Sequence, residues 1–256
     1  MISCTTFTPF LSHLNTCRIH IVIVLALFLG ACSTATNLKT SPLSAANDAK
    51  NEQLQAPKKI LVMPLDVELS LLTAAGLSEP KAEWTEKAIS HITEILKSAL
   101  QQGGDTIQFY ERSENSADSD QVQLEKLHQA TGFSILMHDM GQLPLPSRAA
   151  DKNPSAWSLG PKAKLLAEET GADYALFTFV RDSYSSGGRK ALMAIASLLG
   201  GGIQGGTQVG FGSLVDLSSG EIVWFNRLMS ATGDLREKEA AELSVSYLLQ
   251  NFPSNQ

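Results

Sequence analysis

Few side chains here can do covalent chemistry, and the cysteines are the most restricted of them. They stand at Cys4, Cys17 and Cys32, with none further along. A folded region without cysteine has no disulfide framework, no thiolate metal site and no thiol nucleophile. Cys32 follows Leu29, Gly30 and Ala31. Small residues there leave the backbone open to approach, and a thiol is the one side chain present that readily forms a thioether.

The other candidates offer less. The histidines are His13, His20, His91, His128 and His138. His91 and His128 sit on predicted helices with no second ligand four residues away, and neighbours His138 and Asp139 point apart on either a helix or a strand. A zinc site is therefore not expected. Gly210-Phe211-Gly212-Ser213-Leu214 falls one residue out of step with a G-x-S-x-G nucleophile elbow. Glu168 and Glu169 suit a solvated helix surface. Gly200-Gly201-Gly202-Ile203-Gln204-Gly205 matches G-x-G-x-x-G in letters, but that fingerprint needs a strand before it and a helix after it. Here the predicted order is reversed, so a linker or a close backbone contact is the expected use. Residues 182–189 leave a predicted central strand and mix acid, phenol and guanidinium, which makes Asp182, Tyr184 and Arg189 the candidate interaction loop. No catalytic residue, metal or cofactor is expected beyond a covalent lipid on Cys32.

The segment before Cys32 sets an address. Arg18 and His20 precede an uncharged run over residues 21–31, 11 residues long. A spanning helix needs about 20 apolar residues, so the run fits the core of a secretory leader instead. With Cys32 it resembles the bacterial lipobox. The resemblance implies a leader at 1–31, lipobox residues Leu29, Gly30 and Ala31, and acylation of Cys32. Ser33 stands where an Asp would retain the product in the inner membrane, which implies the outer membrane, periplasmic face, of a Gram-negative cell. Each buried methylene contributes about 0.8 kcal/mol, so two or three acyl chains hold where one attaches only reversibly.

The chain has 256 residues, 43% apolar and 18% charged, with 20 basic and 26 acidic side chains and a net charge of −6. That is enough apolar material for a real core. The acidic excess, without a basic stripe, argues against nucleic acid. Residues 33–57 contain no aromatic residue and only isolated leucines, too little apolar surface to offset the entropy of ordering. As a coil these 25 residues would span about 25–30 Å on average and roughly 80 Å fully extended. They are expected to form a tether, so the organisation is leader 1–31, lipidated Cys32 with tether 32–57, and domain 58–256.

Within the domain, Ile60-Leu61-Val62-Met63 is an unbroken apolar run before Pro64, the pattern of a strand covered on both faces. A loop is expected to follow, then a helix over 80–101 with Trp84, Ala88, Ile92, Ile95 and Ala99 on one stripe, stopped by Gly103-Gly104. Residues 107–110 form a predicted strand, 111–120 a loop and 121–131 a helix ending before Gly132. Residues 133–157, with Leu143-Pro144-Leu145-Pro146, have no clear assignment. A helix over 161–170 starts on Pro161 and stops at Gly171, followed by a central strand over 174–180. Residues 190–199 form an apolar helix without a polar face. Burial against the sheet is expected, the alternative being contact with a lipid surface or a partner groove. Strands over 208–217 and 221–229 flank the turn Asp216-Leu217-Ser218-Ser219-Gly220. A final helix over 236–251 is expected to bury Leu243, Tyr247 and Leu248. Helices alternating with strands point to a single three-layer α/β domain, a mixed sheet with helices on both faces.

The apolar strand before Pro64, the Trp84 helix, the strand after Gly171 and the hairpin running from Asp216 through Gly220 to Trp224 together resemble a group of proteobacterial outer-membrane lipoproteins. The hairpin and element order are also similar to the α/β domains of LpoB, CsgG and the N-terminal part of TolB. This implies action by binding: a non-enzymatic assembly or regulatory module of the cell envelope, with an envelope protein as partner and oligomerisation open. An envelope hydrolase with an unfamiliar site and a subunit of an oligomeric CsgG-like channel are the alternatives.

Overall fold

The computed structural model describes residues 58–111, 119–139, 157–231 and 233–253. Leu29, Gly30, Ala31, Cys32, the tether segment and the proline-rich run at 143–146 lie outside them. Among the described residues no helix is long and apolar enough to cross a membrane.

The sequence run 60–63 becomes β1 (Lys59–Val62) and its next residue, all four side chains at most 1% exposed. Ile60 and Val62 enter one core and Leu61 and Met63 the other, as alternation along a strand requires when both faces are covered. Pro64 has no N–H to continue the ladder. The chain resumes immediately as β2 (Asp66–Leu72), not as the expected loop, and returns as the short β3 (Ser78–Pro80). Val67 and Leu69 are buried while Asp66 and Glu68 are exposed, a period of two that defines a half-buried strand.

β5 (Tyr174–Ser185) is the spine of the seven-stranded sheet. Its first half pairs in parallel with β1, Ile60 opposite Tyr174, and its second half in parallel with β2, Asp66 opposite Phe179. β4 (Thr106–Phe109) extends the β1 side in parallel. On its other edge β5 pairs antiparallel with β6 (Gln208–Asp216), which pairs with β7 (Ile222–Ser230). The expected mixed α/β sheet is thus present.

Helices cover both faces. α1 (Ala82–Gln102) and α5 (Lys238–Leu248) pack on the face carrying Ile60, Val62, Leu176, Val180 and Trp224. α2 (Asp120–Asp139) and α3 (Lys164–Thr170), the latter entered through a 3-10 turn at Pro161–Ala163, cover the face carrying Leu61, Phe177, Phe179 and Phe211. Full burial of each such side chain contributes about 1.5–3 kcal/mol. α5 buries Ala241, Ser244, Val245 and Leu248, whereas Leu243 is 60% exposed, so the expected apolar face is turned by about one residue.

One glycine departs from its expected part and another keeps it. Gly132 does not end its helix. α2 continues through Ile135 to Asp139, and a Cβ at Gly132 would stand 2.0 Å from the Phe211 ring, so glycine makes room for that ring. Gly220 closes the β6–β7 turn at φ 77, where Asp216 Oδ1 accepts from the Ser218 and Ser219 N–H groups at 2.8 and 3.3 Å.

The sharpest departure is α4 (Gly187–Leu198). None of its residues is buried. Leu192, Ile195 and Leu198 are 41%, 55% and 87% exposed, and the C-cap Leu199 83%. Burial against the sheet, expected from composition, does not occur, because both faces of the sheet are already occupied by α1, α5, α2 and α3.

Candidate functional site

The segment 182–189 is not a loop. Asp182 and Tyr184 continue β5, two residues apart and so on one face of the strand. Ser186 caps α4, its Oγ accepting from the Arg189 N–H at 3.2 Å. The sheet places Asp182 and Tyr184 together and sends Arg189 elsewhere. Arg189 Nε and Nη2 donate to the Gln204 carbonyl at 2.9 and 2.6 Å, clasping the glycine-rich return from α4. The close backbone contact falls one residue past the G-x-G-x-x-G letters: a Cβ at Gly206 would lie 1.9 Å from the Ser183 carbonyl, whereas Gly200 and Gly202 have open space around them.

Asp182 is 2% exposed and its Oδ2 collects three donors. These are Tyr184 Oη, Gln208 Nε2 at 2.9 Å and the Leu235 N–H at 3.3 Å. The Leu235 N–H also lies 2.9 Å from Tyr184 Oη, and Ser244 Oγ donates to Gln208 Oε1 at 2.9 Å. Burial outweighs those hydrogen bonds and pushes the Asp182 carboxyl up to about 6. Burial and the adjacent Asp182 push the Tyr184 phenol up as well.

Above this lock lies a second layer. Arg236 lies 3.8 Å over the Tyr184 ring and 4.8 Å from the Trp84 ring, while it holds Asp234 bidentately at 2.8 and 2.7 Å. That pairing keeps the Asp234 carboxyl below its usual range. Between these residues, Leu71, Lys190 and Met193 opens a cleft of about 390 Å³. Gln208, Asp234, Leu235, Arg236 and Trp84 carry no sequence signal that ties them to Asp182. A buried strand-end glutamine, Gln208 at 1% exposure, is visible as such only in the fold.

A second polar pair lies on the opposite face. His128 Nε2 is 2.8 Å from Ser213 Oγ, with the imidazole stacked on Phe177. Burial takes the imidazole down to about 3, so it is neutral at pH 7. Ser213 is 0% exposed. A cavity of about 200 Å³ reaches His128 but is not lined by Ser213. Glu168 and Glu169 are exposed on α3, and among the described residues no group of three His, Cys, Asp or Glu could hold a metal ion.

No protein-family model matches the chain, and no curated protein matches it. Among solved structures it is similar to the PelC dodecamer from Paraburkholderia phytofirmans, at 13% identity over 78% of this chain and 90% of that one, TM-score 0.37. It is similar to the LpoB C-terminal domain from Salmonella enterica, at 21% identity over 74% and 93%, TM-score 0.25. Lipoprotein GNA1162 from Neisseria meningitidis matches at 12% identity over 69% and 82%, TM-score 0.28.

Proposed function

We propose that this chain is an outer-membrane lipoprotein, acylated at Cys32, whose periplasmic α/β domain binds a cell-envelope protein and carries out no catalysis. The observation that supports it is the end of the sheet where α4 leaves β5. There a cleft of about 390 Å³ adjoins a helix with no buried residue. An apolar element left in solvent beside a polar recess is the usual form of a docking surface. The acid and phenol in that recess are spent on each other and on Gln208 and Leu235, which ties the floor of the recess to three segments of the chain.

Two measurements in intact cells test the two halves of the proposal. Labelled fatty acid is expected on the wild type and absent from Cys32→Ser. A benzophenone side chain placed at Ala231, which lines the cleft, is expected to give one discrete protein adduct on illumination. Acylated protein that yields no adduct from the cleft would overturn the binding role while leaving the anchor standing.

A further inference from the structure

The apolar ridge of α4 has a chemical setting that sets it apart from the rest of the domain. Residues 183–215 contain no Asp or Glu, and their only charges are Arg189 and Lys190, within a chain that carries 26 acids. Leu192, Ile195 and Leu199 recur at spacings of three and four, so they share one side of the helix. Met193 turns the other way, its Sδ 3.8 Å from Ser185 Oγ and its methyl close to Gly205. The helix thus rests on its own return loop through Met193 and presents the leucines and isoleucine outward.

Position along the sheet adds a second observation. The segment from Cys32 enters the domain at Lys58, beside the start of β5, where the Lys59 N–H donates to Asp173 Oδ2 at 2.9 Å. α4 begins just past the other end of the same strand. The 12 residues of β5 separate the two points by roughly 40 Å. The 25 residues of 33–57, with roughly 80 Å of contour, let both ends of the domain meet one surface when the β5 axis lies along it.

We infer that α4 is a second membrane contact: its Leu192, Ile195 and Leu199 side enters the headgroup region of an anionic bilayer, with Lys190 at the phosphates, so that the domain lies on its side. This rests on the anchored-lipoprotein reading above. An in-plane helix needs an apolar side, a cation for the phosphates and no carboxylate of its own facing the lipid; α4 supplies the first with Leu192, Ile195 and Leu199, the second with Lys190, and carries no Asp or Glu. Its 12 residues cannot span the bilayer, but they suffice to lie in its interface. Weak intrinsic affinity is enough, because the acyl anchor already holds the helix at high local concentration. The cleft then faces along the membrane, open to a partner in the same leaflet.

The test uses the mature acylated chain carrying Ile195→Cys, whose thiol is the only free one once Cys32 is a thioether, labelled with an environment-sensitive fluorophore. Vesicles of phosphatidylethanolamine with phosphatidylglycerol are expected to shift its emission to the blue, and brominated acyl chains to quench it. Phosphatidylcholine vesicles are expected to give a smaller response. In an unacylated chain of residues 33–256, which lacks the leader as well as Cys32, Lys190→Gln is expected to lower partitioning onto the anionic vesicles by about fivefold. Because Lys190 is solvent-facing, the circular dichroism of that variant stays that of the parent.

A label that keeps its aqueous emission while the chain still floats with the vesicles would overturn the helix contact and leave the anchor intact. Labelling at Cys32 as well as at the introduced thiol, with a helix response preserved, would fail the anchor and leave the contact intact. Equal responses to neutral and anionic lipid would overturn the anionic recognition. A blue shift without vesicles that grows with protein concentration would assign the ridge to a second copy and overturn the proposal.

Discussion

Two short apolar stretches, Ile60-Leu61-Val62-Met63 at β1 and Leu192 to Leu199 at the end of α4, have similar composition and opposite fates. The first is at most 1% exposed throughout, and the second has no buried residue in its helix. Composition does not separate them. The difference lies in neighbours: β1 is central, with β4 and β5 on its edges and a helical layer on each face, whereas α4 follows the last residues of β5 and has no sheet surface left to cover. An apolar run states that something must cover it, and the rest of the fold decides whether the cover comes from the same chain.

The strongest way to break this contrast is to cut into β1. Leu61→Ala is expected to lower unfolding free energy by about 2–5 kcal/mol, because the sheet and helices around it cannot collapse onto the space. Urea denaturation followed by circular dichroism measures it. A loss below about 1 kcal/mol would mean that β1 is not the closed centre described here.

A change at the strand end from which α4 departs sharpens the contrast. Asp182 has its carboxyl raised from an ordinary 3.8 to about 6, so the folded state holds its proton more tightly than the unfolded chain. Its contribution is full at low pH and is lost as pH rises through about 6, by about 2–3 kcal/mol between pH 4 and pH 7. The stability difference between wild type and Asp182→Asn should change by that amount across the range. A difference independent of pH would place the carboxyl at its ordinary value. Tyr184→Phe removes a donor that favours the ionised carboxylate, so it should raise the Asp182 midpoint further, read by carbon NMR of the labelled carboxyl.

The smallest effect belongs to α4. Leu198→Ser, at a side chain 87% exposed, is expected to change stability by less than about 0.5 kcal/mol. A loss comparable to that of Leu61→Ala would show this end of α4 to be covered within the chain.

Much of the fold was legible before the structure. The unbroken run before Pro64, the Trp84 helix with its three-and-four stripe, the Gly171 stop at φ 68 and the Asp216–Gly220 turn are local patterns that need only adjacent residues to be recognised. β2 was hidden because its alternation, Val67 and Leu69 between Asp66, Glu68 and Ser70, is short and polar at every second place. With β2 unseen, nothing required β5 to run past Val180, and Asp182 and Tyr184 looked like loop residues. α2 was cut short at Gly132 because the ring that needs that glycine, Phe211, belongs to a strand far along the chain.

For the candidate site the balance tips further. Asp182 and Tyr184 stood out by type, but their partners come from β6, from the turn before α5 and from α1, and Arg189 belongs to another contact altogether. The sequence alone determined the α/β alternation and the turn chemistry, because each depends on side chains within a few residues of one another. The tertiary structure alone decided that a carboxylate would be buried under a phenol and an arginine, and that α4 would be left uncovered. Those outcomes depend on which distant segments close onto which face of the sheet, and local spacing carries no record of that.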